Sequence, residues 1–215
     1  MAAHWRDGAM EPIWKFVEQY MSQFDASHDF HHIKRVVALA TTILEAEQKV
    51  QTEIAYNKDI VLLAALLHDV GDKKYESPGS ADANRIHDLL ATHGVPSDIA
   101  SAVQLVATTV SYSSEVKNPG AVTEVLARHP ELAIVQDADR LDAIGAIGIG
   151  RVFTYGGAKA GERGMRGCLE HLEEKLVRLE GMMKTGTGKQ LARERTRRLE
   201  VFQGWWKEEW PVDGE

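Results

Sequence analysis

His68-Asp69 stands at the end of the apolar run Val61-Leu-Leu-Ala-Ala-Leu-Leu67, so an imidazole and a carboxylate lie where packing alone would place aliphatic side chains. Polar groups carried into a core need partners. His32 lies upstream, and Asp137 and Asp139 lie far downstream in Val135-Gln-Asp-Ala-Asp-Arg-Leu-Asp142. Read in order, H…HD…D offers imidazole nitrogens and carboxylate oxygens, a donor set suited to a divalent ion such as Mn²⁺, Fe²⁺, Co²⁺, Ni²⁺ or Zn²⁺. Two histidines and two carboxylates leave coordination positions for water and a substrate oxygen. A metal so held lowers the pKa of its water and polarises a phosphoryl oxygen, the two tasks needed to hydrolyse a phosphate ester or anhydride.

Asp137 and Asp139 are two residues apart, about 200° around a helix, so they do not both face one ion. Asp139 and Asp142 share a face at i, i+3, which favours Asp139 as the ligand and Asp142 as a group set just behind it. Asp72 follows His68 by four residues, one turn on if the helix continues. A carboxylate there could orient or deprotonate the attacking water, or protonate the leaving oxygen. Lys73 and Lys74 come next and supply positive charge, Lys74 being the one expected to meet an anionic substrate.

Apolar residues at helical spacing run through nearly the whole chain, for example Ile33, Val36, Val37, Ala40, Ile43 and Leu44. The reading is an all-α, compact multi-helix bundle, with helices over about 11–24, 30–48, 56–70, 80–93, 97–109, 131–147, 161–183 and 187–210. The turn-rich stretches Ser77-Pro-Gly-Ser, His93-Gly-Val-Pro, Asn118-Pro-Gly and Tyr155-Gly-Gly read as loops too short to be domain linkers. One domain over 1–215 is expected, with about 1–10 as an extension and about 160–215 as C-terminal helices packed on the core. Because Val61 to Leu67 is apolar on every helical face, its helix should run through the centre of the fold. The aromatic-rich end Phe202-Gln-Gly-Trp-Trp-Lys-Glu-Glu-Trp210 is read as packing rather than a ligand platform. Gly145-Ala-Ile-Gly148-Ile-Gly150 follows a helix rather than a strand, so it is read as close helix packing and not as a phosphate loop.

The chain has 215 residues, 44% of them hydrophobic and 27% charged, ordinary for a globular protein. A net charge of −7 argues against a partner of duplex nucleic acid, whose phosphates need a basic surface. The single cysteine, Cys168, rules out an intramolecular disulfide and a cysteine-based zinc cluster. The longest apolar run is far short of the roughly 20 residues of a membrane span, and a cytoplasmic, soluble protein is expected. Assembly into a homo-oligomer is left open.

The chain closely resembles the HD-domain phosphohydrolases, in particular the small branch that includes nucleoside triphosphate pyrophosphohydrolases. The resemblance rests on His28-Asp29-Phe-His-His32-Ile-Lys-Arg35-Val36, on Ala65-Leu-Leu-His68-Asp69-Val-Gly-Asp72-Lys-Lys74-Tyr75, and on Gln136-Asp-Ala-Asp139-Arg-Leu-Asp142. It continues through Gly150-Arg151-Val-Phe-Thr-Tyr155-Gly156-Gly157 and His171-Leu-Glu-Glu-Lys175-Leu176. It implies that His32, His68, Asp69 and Asp139 hold one divalent metal, Mn²⁺ foremost, with Fe²⁺, Co²⁺, Ni²⁺, Zn²⁺ or Mg²⁺ as alternatives. Asp72 falls at the family's catalytic acidic position, where many members carry Glu. Arg35, Lys74, Arg151, Tyr155 and Lys175 are implied as a substrate-binding rim, and His28, Asp29 and Asp142 as supports around the ligands. The substrate implied is a small phosphorylated molecule, foremost a nucleotide.

Two other readings use the same residues. A closed metal clamp would make the chain a ligand-binding or regulatory module, but Asp72 and the lysines would then have no task. A diiron oxygenase would need two further histidines between His68 and Asp139. Only His87, His93 and His129 are available there; they lack a shared helical spacing and read as structural or surface groups.

Overall fold

The structure, a computed structural model, describes residues 4–71, 84–159 and 164–210. The expectations for Asp72 and Lys74, for the Ser77-Pro-Gly-Ser turn and for the start of the 80–93 helix fall outside those residues. All the described secondary structure is helical. The elements are α1 His4–Met21, α2 Phe30–Val50, α3 Lys58–Leu67, α4 Arg85–Thr92, α5 Ser97–Thr109, α6 Tyr112–Lys117, α7 Pro119–Arg128, α8 Glu131–Asp142, α9 Gly145–Lys159 and α10 Gly164–Glu174. A 3-10 turn, Leu176–Met182, then leads to α11, Gly186–Glu209. No helix among the described residues is long and apolar enough to cross a membrane.

The apolar helix α3 is the hub. Ile60, Val61, Leu63, Ala64, Ala65, Leu66 and Leu67 are all buried, and α3 packs against α2, α5 and α8. Helix α2 turns the stripe Ile33, Val36, Ala40, Ile43 and Leu44 toward it. Asn57 starts α3, its side chain accepting from the amides of Asp59 and Ile60. The helix ends at Leu67 rather than at 70: Val70 N bonds back to Leu67 O at 2.9 Å, and Gly71 adopts φ 78°, open to glycine at little cost. His68 and Asp69 therefore sit on the turn leaving the core helix, and the continuous-helix premise used to place Asp72 one turn beyond His68 does not hold.

Several boundaries differ from the sequence reading for identifiable reasons. Helix α1 runs through Pro12, which removes one backbone bond, because Ala9, Ile13, Val17 and Met21 form a fully buried i, i+4 stripe. The stretch 112–128, expected to be loop, is two helices. Ser111 caps α6, and Asn118-Pro119 is the cap and first residue of α7 rather than a turn. The expected helix 131–147 breaks after Asp142, where Gly145 takes φ 74° over the Arg195 side chain. Tyr155-Gly156-Gly157 lies inside α9, since the Cys168 thiol of α10 fills the space a Cβ on Gly156 would need. The aromatic end of α11 packs on α9, with Trp206 stacked on Phe153 at 5.5 Å.

Gly148 lines the site cavity, and a Cβ there would overlap the carbonyl of Ala143. Gly148→Ala should therefore destabilise the protein by about 1–3 kcal/mol, the usual cost of overpacking against fixed backbone. Urea denaturation of the two proteins checks this, and an unchanged midpoint would mean that the α8–α9 junction yields freely.

Candidate metal centre

His32 is presented by the first turn of α2. The helix is capped by Asp29, whose carboxylate accepts from the His32 amide at 3.1 Å, so the cap fixes the residue that carries the imidazole. Asp139 and Asp142 come from the last turn of α8, which packs on α2 and α3. The four side chains, separated by up to 107 positions in the chain, converge at the end of the core helix. His32 Nε2 lies 3.3 Å from His68 Nε2, 3.4 Å from Asp69 Oδ2 and 3.6 Å from Asp139 Oδ1. His68 Nε2 lies 3.6 Å from Asp69 Oδ1 and 3.7 Å from Asp139 Oδ1. Among the described residues, His32, His68 and Asp139 are the trio of such donors within 4.8 Å of one another, and Asp69 touches both imidazoles.

The hydrogen bonds on the far side of each ring say what this convergence is for. His32 Nδ1 faces Asp142 Oδ2 at 2.8 Å, and His68 Nδ1 faces the carbonyl of Ala65 at 2.9 Å. A carboxylate and a carbonyl only accept, so both Nδ1 atoms carry hydrogen. In the neutral rings both Nε2 lone pairs then point at one another and at two carboxylates, a repulsive arrangement for a metal-free core. Asp69 Oδ2 is buried with no hydrogen-bond partner among the described residues. A divalent cation satisfies all of these at once, and the residues fit one.

Electrostatics agree. Burial opposes a charged His68, yet Asp69 and Asp139 outweigh it and push the imidazole up to about 9. Burial likewise works against ionised Asp69, but His68 and His32 hold its carboxyl well below the ordinary range. Asp139 is lowered in the same way, burial being outweighed by His68. The cluster thus gathers excess negative charge that a proton on His68 offsets when no cation does.

Asp142 is 1% exposed and is the anchor behind His32. Arg35 grips it with two bonds, Nε to Oδ1 at 2.6 Å and Nη2 to Oδ2 at 3.0 Å, and Arg151 Nη1 donates to Oδ2 at 3.0 Å. Arg151 Nε donates to the Ser27 carbonyl at 2.8 Å, tying α9 to the segment before α2. Burial would raise the Asp142 carboxyl, but the bonds from His32 and Arg35 keep it well below the usual carboxylate range. Arg35 and Arg151, expected on a substrate rim, are thus placed on this carboxylate; Arg151 also lines the adjoining cavity, as do Tyr155, Lys175 and His28. Burial and the charge of Arg151 push His28 down to about 4.

That cavity measures about 450 Å³, within the span of small-molecule sites. The cluster lies at one side; Tyr112, with Lys175 Nζ 4.8 Å from its ring centroid, and His171 lie on the wall. Tyr112 was not singled out from sequence, and no local pattern marks it; His171 stands in a segment that carries the resemblance but was given no role. Asp137 takes a different task from Asp139: it accepts from the amides of Lys184 and Thr185 and from the Thr185 hydroxyl at 2.7–2.9 Å, capping the entry to α11. His87 pairs with Asp88, while His93 and His129 end α4 and α7.

A family model, the HD domain, matches residues 29–144, which bracket the cluster. The chain is 36% identical over 192 residues to YpgQ of Bacillus subtilis, covering 86% of this chain and 85% of that one. The crystal structure of YpgQ in complex with ADP is similar with a TM-score of 0.75 and 32% identity, over 94% of this chain and 97% of that one. An HD-superfamily hydrolase from Bacillus thuringiensis is similar with a TM-score of 0.68 and 31% identity, over 94% and 97%.

Two outcomes follow from the hydrogen bonding and charge. Because His68 must give up its proton to ligate, Mn²⁺ affinity should rise with pH up to about 9, approaching tenfold per unit, with proton release measurable by titration calorimetry in buffers of different ionisation enthalpy. Asp142→Asn should weaken Mn²⁺ binding by about 10–100-fold, read in the same calorimeter, because the amide can accept from or donate to Nδ1 and so supports either tautomer of His32.

Proposed function

The chain belongs to the HD-domain family and is a metal-dependent phosphohydrolase, and from that premise we propose that its substrate is a nucleotide. The cleavage proposed first is that of a nucleoside triphosphate to monophosphate and pyrophosphate, with removal of a terminal phosphate as the alternative. The observation that carries this reading is the placement of the convergent donors on the wall of a nucleotide-sized cavity that also holds Arg151, Lys175, Tyr112 and Tyr155. The ADP complex of the similar YpgQ supports it.

His32, His68, Asp69 and Asp139 would hold the metal, proposed to be Mn²⁺. When bound, such an ion supplies Lewis acidity toward a phosphoryl oxygen and toward water. Asp142, Arg35 and Asp29 hold His32 in place. Arg151 and Lys175 bring positive charge to the substrate's phosphates, with Lys74 proposed to add to it. Only part of the Arg151 guanidinium is committed to Asp142 and the Ser27 carbonyl, so charge is left to act on an anion. Asp72 is proposed to move the proton, either from the attacking water or to the leaving oxygen. Tyr155 closes the wall beside His28, their rings 6.1 Å apart. Such catalysis is mostly positioning and charge stabilisation, which suits a site with fixed cations on its wall.

Incubation with a panel of ribo- and deoxyribonucleotides and Mn²⁺, followed by ion-exchange separation of products, tests this. Monophosphate plus pyrophosphate should appear with the unaltered protein and be lost in Asp69→Ala together with bound metal. Orthophosphate as the product would shift the assignment to a nucleotidase. Absence of turnover with every nucleotide would sink the nucleotide reading.

A further inference from the structure

One face of the last helix is turned to solvent. Phe202 and Trp206 of α11 point inward onto Phe153 of α9, and Ala192, Thr196 and Leu199 are buried on the same side. On the opposite side Val201 and Trp205 are 40% and 59% exposed. Arg198, Val201, Trp205 and Glu208 follow one another at steps of three, four and three residues, which makes a single stripe along the helix. Arg197 and Glu209 flank that stripe, and all four charged residues are exposed. Apolar side chains set singly on a surface need no explanation, but two on one face, between sorted charges, mark a contact surface.

The sorting is specific. Both arginines precede the apolar pair and both glutamates follow it. The pairs Arg197 with Glu208 and Arg198 with Glu209 are centred on the same point of the helix as Val201 with Trp205, at Gln203. A two-fold axis across α11 at that point lays a second copy of the helix antiparallel to the first. Arg197 then faces Glu208 of the partner subunit along one edge, Arg198 faces Glu209 of the partner subunit along the other, and Val201 meets Trp205 of the partner subunit between them. A patch that pairs with itself in this way is what an isologous interface requires. A parallel copy would instead set arginine on arginine and glutamate on glutamate. With a net charge of −7, two copies of the chain repel unless opposite charges meet locally, and this face supplies them. Within its own helix each arginine lies 3.2 Å from Glu194, in exposed pairs that hold the side chains only loosely. We propose that α11 is a self-association surface through which two copies of this chain pair antiparallel about Gln203. The stripe is only about 17 Å long at 1.5 Å per residue, so the dimer forms and dissociates with concentration rather than being permanent. The inference is independent of the metal and of the substrate.

Sedimentation equilibrium of the full chain, from micromolar to near-millimolar concentration, should show a monomer–dimer equilibrium. Arg197→Glu with Arg198→Glu makes the face wholly acidic, and Glu208→Arg with Glu209→Arg makes it wholly basic. Each double variant alone should dimerise more weakly by at least about tenfold, because like charges then oppose across the contact. An equimolar mixture of the two should recover a heterodimer at least as tight as the unaltered pair, a result that only the antiparallel register gives. Should either double variant lose helix content in circular dichroism, Trp205→Glu, which sets a charge at the apolar centre, decides the matter by abolishing the dimer. A chain that stays monomeric at every concentration would overturn the proposal. So would a dimer that the variants leave intact, or a mixture of the two double variants that fails to pair.

Discussion

The hydrogen bond between His32 Nδ1 and Asp142 sets the rest of the site. Asp142 is an almost fully buried anion, tolerable only because two guanidiniums and an imidazole surround it. That surround joins three helices: Arg35 and His32 from α2, Asp142 from α8 and Arg151 from α9. It also reaches the Ser27 carbonyl through Arg151. One carboxylate thus fixes the tautomer of His32, the angle at which α8 brings Asp139 forward, and the segment that carries His28. The apolar helix α3 supplies the opposite wall, where His68 and Asp69 follow directly on the most buried stretch of the chain.

The division between α3 and its surroundings has an electrostatic purpose. Asp69 and Asp139 add negative charge at the mouth of the core, and in the metal-free protein they favour a proton on His68, which offsets it. Arg151 and Lys175, on the wall of the same cavity, bring charge of the opposite sign. A phosphorylated substrate would span the two, its anionic oxygens between a cation at the cluster and cations on the wall. A net charge of −7 for the whole chain therefore says little about the local field its substrate meets.

Much of this arrangement could be read from the sequence, because its strongest signals are local. A histidine and aspartate ending a seven-residue apolar run mark a polar site at the edge of a core. The 100° step of a helix separates Asp137 from Asp139, and Asp137 indeed caps the start of α11 while Asp139 faces the cluster. What escaped were signals whose meaning depends on distant partners. Asn118-Pro119 has the same composition whether it turns the chain or starts α7. Gly156 looks like a helix breaker until the Cys168 thiol is seen filling its empty side. That Arg35 and Arg151 both bond Asp142 is a pairing that no spacing in the sequence announces. Glu115, bound by Arg140 at 2.5 Å and Lys184 at 2.7 Å, joins three regions that no spacing rule connects.

Crystals grown with Mn²⁺ and measured at the manganese absorption edge address the central claim most directly, since anomalous scattering locates the ion without any assay. An ion bonded to His32 Nε2, His68 Nε2, Asp69 and Asp139, with both Nδ1 atoms still held by Asp142 and Ala65, is the predicted result. Manganese bound elsewhere, or absent while the two Nε2 atoms remain 3.3 Å apart, would contradict it.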